Sequence, residues 1–197
     1  PTFGKNARRF LARHPDLIAN MHLPGTPGVG NRRMLSIVDE VKLRRILARM
    51  LDESEFFGPY GIRALSRYHL DHPYVFQHGG QEYRVAYVPG DSDSGMFGGN
   101  SNWRGPVWMP INALLHGALL RLYTYYGAEF KVECPTGSGQ RMTLLEVAHE
   151  LGERLGRIFL PDDSGSRPVH AAAGVYRDDP HWLDLSLFFF YFPGATG

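Results

Sequence analysis

The chain has one cysteine, Cys134, among 197 residues. A lone thiol excludes an intrachain disulfide and any cysteine-rich metal site, and it is compatible with the cytoplasmic location expected here. An excess of one charge is also missing, with 21 Lys and Arg against 20 Asp and Glu. The arginines fall in scattered pairs (Arg8-Arg9, Arg32-Arg33, Arg44-Arg45). Nucleic-acid binders concentrate positive charge on one face, so no nucleic-acid partner is expected. Long apolar runs are absent too: the best, Leu183 to Phe192, falls far short of the roughly 20 residues that cross a bilayer. No membrane partner and no signal peptide are therefore expected.

Hydrophobic residues make up 43% of the chain, enough for a packed core and too many for disorder. The chain begins at Pro1 without an initiator Met and stops at Gly197 just after an aromatic run. We read residues 1–197 as one partial domain truncated at both ends, whose natural partner is the remainder of its own longer polypeptide.

Helical signal comes in blocks. Lys5 to His14 is a short helical candidate, and Leu23 to Asn31 is a Pro/Gly loop. Ser36 to Leu51 carries Leu43, Ile46, Leu47, Met50 and Leu51 on one stripe. Pro110 to Tyr126 is the clearest helix, with Gly127 as its stop. Thr143-Leu144-Leu145-Glu146 is a capping box opening a helix to Ile158. Asp179-Pro180 has the form of a helix start, a cap followed by Pro at the first position. Between Asp52 and Pro106 the helical period disappears, and only Gln81 to Val88 alternates as a strand does. So long a stretch of irregular chain in a compact domain is uncommon and often functional.

The densest chemistry lies at Gly98-Gly99-Asn100-Ser101-Asn102-Trp103-Arg104-Gly105-Pro106-Val107-Trp108. Glycines permit close approach, Asn and Arg present forked polar groups, and two indoles supply flat apolar faces. A sugar ring asks for that combination. A hydrophobic plug with a capping salt bridge fits the same residues equally well.

Gly61-Ile62-Arg63-Ala64-Leu65-Ser66, joined to Asn102-Trp103-Arg104-Gly105-Pro106-Val107-Trp108, resembles the paired signature of glycoside hydrolase family 63. That family includes the mannosyl-oligosaccharide glucosidase that trims N-glycan precursors, and the likeness is to its bacterial glucosidase-like branch, from about Leu17 to Gly197. The resemblance implies an all-α fold, the C-terminal part of an (α/α)6 six-hairpin barrel with long loops and a short strand or hairpin near 81–88. It implies inverting hydrolysis of a glucoside or oligosaccharide substrate, α-glucosidase-like and without a cofactor. One carboxylic acid then protonates the leaving oxygen and one carboxylate activates water, with the two about 6.5–9.5 Å apart.

The resemblance places the acid Asp before Pro1. It places the base Glu where this chain has Phe190, in Phe188-Phe189-Phe190-Tyr191-Phe192-Pro193-Gly194. Phenylalanine cannot take a proton from water, so this chain alone is expected to be inactive. The alternative is a carbohydrate-binding relative that has lost its base; a purely structural helical module is a third class. Asp184 is either a substitute base or a helix-surface aspartate. The expected sugar-facing residues are Arg63, Asn102, Trp103, Arg104 and Trp108, acting as binders. Trp103, Arg104 and Trp108 should share one pocket wall with the Gly61–Ser66 loop, and Arg63 either braces that loop or touches sugar.

Other candidates carry less. Asp91-Ser92-Asp93-Ser94-Gly95 lacks a third ligand and a distal Glu, and reads as an acidic turn rather than a calcium loop. His69 and His72 bracket Asp71 with no further ligand set, so no metal site is expected. His116 sits on the apolar side of a helix. Gly137-Ser138-Gly139 lacks the Lys-Ser/Thr of a phosphate loop, and Tyr123, Tyr125 and Tyr126 read as helix-end packing.

Overall fold

A computed structural model describes residues 2–18, 27–34, 36–88, 107–170, 173–183, 185 and 191–192. Helix α1 (Thr2–Arg13) is followed by a single turn, α2 (Pro15–Ile18). Helix α3 (Glu40–Met50) starts later than the expected Ser36. The Asp39 carboxylate accepts from the Lys42 N–H at 2.8 Å, and Ser36 Oγ takes the Val38 N–H, so the first helical residue is Glu40.

Two short antiparallel pairs come next. Strands β1 (Phe57–Gly58) and β2 (Gly61–Ile62) pair Phe57 with Ile62. Strands β3 (Tyr74–His78) and β4 (Gln81–Val85) pair in full register, from Tyr74 opposite Val85 to His78 opposite Gln81. The two-residue turn between them is Gly79-Gly80, with φ of 58° and 76°, the left-handed backbone that a tight hairpin requires.

Strand β5 (Val107–Trp108) pairs with β8 (Tyr191–Phe192) and leads into α4 (Met109–Tyr126). Gly127 closes α4 at φ 72°, its N–H on the Tyr123 carbonyl, and a Cβ there would lie 2.6 Å from Val29. Strands β6 (Lys131–Glu133) and β7 (Arg141–Thr143) form the fourth ladder. Thr143 then caps α5 (Leu144–Arg157) through the reciprocal box with Glu146. The chain continues through the 3₁₀ turn Pro168–His170 to α6 (Val175–Asp178).

The architecture is therefore mixed α/β, which corrects the all-α expectation. Four two-stranded antiparallel ladders stand beside the helices, and no ring of helical hairpins forms among the described residues. In three ladders the partners are near neighbours joined through glycine-containing turns, most clearly β3 and β4 with their aromatic and β-branched residues, and such runs pair locally instead of coiling. The C-terminal expectation also changes. Asp179 ends α6, and its carboxylate and carbonyl close one further turn onto His181, Trp182 and Leu183, rather than starting a long helix.

The main core joins Leu43 and Leu47 of α3 and its C-cap Leu51 to Phe57 and Ile62, Leu119 of α4, and Leu144, Val147 and Leu151 of α5. Each such fully buried side chain contributes about 1.5–3 kcal/mol relative to exposure. Val107, Ile158 and Val169 form a smaller cluster. Helix α4 is apolar nearly all round, yet Leu114 is 67% exposed, and Ile46 of α3 is also open.

Candidate functional site

The Gly61–Ser66 block meets the strand at Val107. Arg63 and Val107 form an antiparallel backbone bridge, so the Gly61–Ser66 segment lies directly beside the strand that ends in Trp108. Trp108 is half-buried and caps α4. One turn on, Asn112 is 1% exposed and acts as a surrogate peptide group. Its Oδ1 accepts from the Ile62 N–H at 2.7 Å, and its Nδ2 donates to the Ile62 carbonyl and the Trp108 carbonyl, both at 3.0 Å. Ile62 thus has its ladder completed by a side chain rather than by a strand. Gly61, at φ 122°, permits this approach: a Cβ would lie 2.7 Å from Leu155 Cδ2 and 3.0 Å from Asn112 Oδ1.

Arg63 is 5% exposed. Its Nη1 donates to the carbonyls of Glu53 and Glu55 at 2.9 and 3.0 Å, while its own N–H donates to the Phe56 carbonyl at 2.8 Å. Burial pulls its pKa down, and contact with Tyr87 opposes that shift. These bonds make Arg63 a brace for the turn 53–58. Gly58 lies against its side chain, since a Cβ there would meet Arg63 Nε at 3.3 Å.

A second arginine, absent from the sequence-based candidates, braces the same turn from α5. Arg154 donates from Nη1 to the Gly58 carbonyl at 3.0 Å, from Nη2 to Glu53 Oε1 at 2.8 Å, and from Nε to Glu150 Oε1 at 2.7 Å. Its guanidinium lies 3.7 Å from the Phe57 ring centroid. Glu150 and Arg154 have the i,i+4 spacing of an ordinary surface pair, which hides the buried role. Asn112 is hidden in the same way, as one polar residue in an apolar helix.

The other expected ligand residues, Asn102, Trp103 and Arg104, lie outside the described residues, as do Asp91–Gly95, Asp184 and Phe190. His69 Nδ1 bonds the His72 carbonyl, and His72 stacks on Tyr68 at 4.2 Å. Among the described residues no group of three His, Cys, Asp or Glu is placed to hold a metal ion. No described helix is long and apolar enough to cross a membrane. His116 is half-buried, facing Gly152 of α5.

What the clamp does chemically is hold geometry. Two buried arginines and one buried amide fix the turn 53–58, the Gly61–Arg63 segment and the N-terminus of α4 as one unit, so Trp108 is presented from a rigid base.

No family model matches the chain, and no solved structure matches it. Over 198 aligned residues, covering 99% of the chain, it is 49% identical to an uncharacterized protein of Saccharomyces cerevisiae, and it spans 18% of that protein's length.

Proposed function

We propose that this chain is the sugar-binding part of an inverting glycoside hydrolase, α-glucosidase-like, that acts on glucosides or oligosaccharides. The observation that carries this reading is the Arg63–Val107 bridge, which joins the two blocks resembling the family 63 signature although 44 positions separate them (107 − 63). Two unrelated blocks have no need to be neighbours. In this reading Trp108 supplies an apolar face to the sugar, with Asn102, Trp103 and Arg104 as its polar and aromatic complement. Arg63 holds the adjoining loop in place.

Phe190 stands where a general base is needed, which favours a second reading, a carbohydrate-binding relative without turnover. Both readings are tested by isothermal calorimetry and product NMR with α-linked glucose disaccharides. The expected result is saturable binding by the native chain, at least about tenfold weaker binding in Trp108→Ala with the fold retained, and no turnover. Absence of binding across the disaccharides would overturn both readings. Turnover with inversion would show that a group other than the residue at 190 is the base.

A further inference from the structure

Away from the clamp, a recess opens between the 3₁₀ turn Pro168–His170 and α6. Ser166, Arg167, His170, Tyr176 and Arg177 line it, and its volume is about 60 Å³. One water needs about 10–15 Å³ by the same measure, so the recess has room for several waters or one tetrahedral oxyanion.

His170 is 7% exposed, and its Nε2 has no hydrogen-bond partner among the described residues. Native folds seldom leave such an atom unpaired without a ligand, ion or water to meet it. The imidazole is fixed in place. Its ring stacks on Tyr176 at 4.4 Å, and Tyr176 is held edge-on by Trp182 at 5.7 Å.

Charge around the recess is uneven. Arg177 places Nε and Nη2 on the two oxygens of Asp178, at 2.7 and 2.9 Å, and also feels Asp162, so its charge is answered. Arg167 is different. One of its Nη1 hydrogens goes to the Phe159 carbonyl at 2.7 Å, and it forms no ion pair among the described residues. Burial, then the nearby Arg167, push the His170 pKa down, which keeps the ring neutral near pH 7 and able to donate from a protonated Nε2. A guanidinium with no ion pair among the described residues, beside an imidazole nitrogen with no hydrogen-bond partner there, suits an anion with several acceptor oxygens.

We propose that this recess binds a small oxyanion, a phosphate or a phosphate borne by a sugar, held by the Arg167 guanidinium and His170 Nε2–H. It does not depend on the glycosidase reading, since none of the clamp residues takes part.

The test is a titration of the chain, carrying ¹³C-labelled histidine, with inorganic phosphate and with glucose 6-phosphate, read at the His170 Cε1–H signal. Potassium chloride at matched ionic strength is the control. The expected result is a saturable shift with both phosphates and none with chloride. The midpoint should move at least about tenfold higher in Arg167→Gln, which removes a charged donor. If that variant does not fold, Arg167→Lys takes its place and should still weaken binding, because an ammonium cannot fork two oxygens. A lower midpoint for glucose 6-phosphate than for phosphate assigns the site to sugar phosphates, and equal midpoints assign it to the free anion. A shift that does not saturate, or that chloride reproduces, overturns the proposal, as does an unchanged midpoint in the Arg167 variant that folds.

Discussion

Asn112 offers the sharpest test of how the clamp is held. In Asn112→Ala, the Ile62 N–H and C=O lose their partners inside the core, and the Trp108 carbonyl loses one of its donors. Each buried polar group left unpaired costs about 1–3 kcal/mol. The Trp108 carbonyl still has the helix ladder, so Ile62 carries most of the loss. The sum is roughly 3–5 kcal/mol, a large share of the roughly 5–15 kcal/mol that holds a domain folded. At about 2–4 °C per kcal/mol for a chain of this size, the melting temperature should fall by roughly 6–20 °C. Asn112→Asp is the diagnostic partner. Its carboxylate keeps the acceptor for Ile62 N–H but turns an anion toward two carbonyls, so its folded pKa should rise above the unfolded value of about 3.9. A raised folded pKa means its stabilising part is present below the unfolded pKa and is lost as pH climbs through the folded one. The Asp variant should therefore recover stability in acid relative to Asn112→Ala. Urea unfolding of both variants at neutral and acidic pH measures this. A loss below about 1 kcal/mol in Asn112→Ala, or no acid recovery in Asn112→Asp, would refute the surrogate-peptide account.

Gly61→Ala should cost more than about 2 kcal/mol, because it adds backbone strain at φ 122° to a clash with Leu155 and Asn112; a melt close to native would contradict it. Arg154→Met should cost roughly 1–3 kcal/mol, below the figure for a fully buried pair because the Glu53 partner is open to water, and denaturant midpoints measure it. Thr143→Ala should cost about 1 kcal/mol and raise the Glu146 pKa only part of the way to its ordinary value, since the residue-143 N–H that chiefly holds it down remains and only the hydroxyl is lost; carboxyl NMR titration reads the second effect. His170 is held below its usual pKa of 6.5, so the unfolded chain takes its proton first as pH falls. The stability it supports is present well above the unfolded value and declines as pH falls through it, and His170→Gln should flatten that decline.

Where a local rule decides the backbone, it could be read directly. Thr143 and Glu146 form the box their spacing implies, and Gly127 stops α4 with the positive φ that glycine adopts readily. Strand β4 was legible from alternation, but its partner β3 was not, although Tyr74–His78 and Gln81–Val85 flank two glycines in the hairpin pattern. Asp179-Pro180 has the composition of a helix start, yet the same aspartate serves as a helix end, because a cap side chain can serve the turn on either side. Asn112 and Arg154 were invisible for another reason. Their importance comes from Ile62 and Gly58, 50 and 96 positions away, and no local pattern encodes a contact at that distance. The meeting of Arg63 with Val107 has no local signal either, since neither segment carries a periodicity that selects the other.

The Arg63–Val107 bridge also sets a rule for altering this protein. The chain leaves the clamp at Arg63 and returns to it at Val107, and the β3–β4 hairpin lies between those two points in the sequence. Within it, a Cβ added at either glycine of the Gly79-Gly80 tip would meet nothing within 4 Å beyond its chain neighbours. Lengthening a loop is cheap, about 0.6 kcal/mol for each doubling. The hairpin tip is accordingly a port: a reporter or binding peptide can be spliced there while the register at the clamp stays as it is.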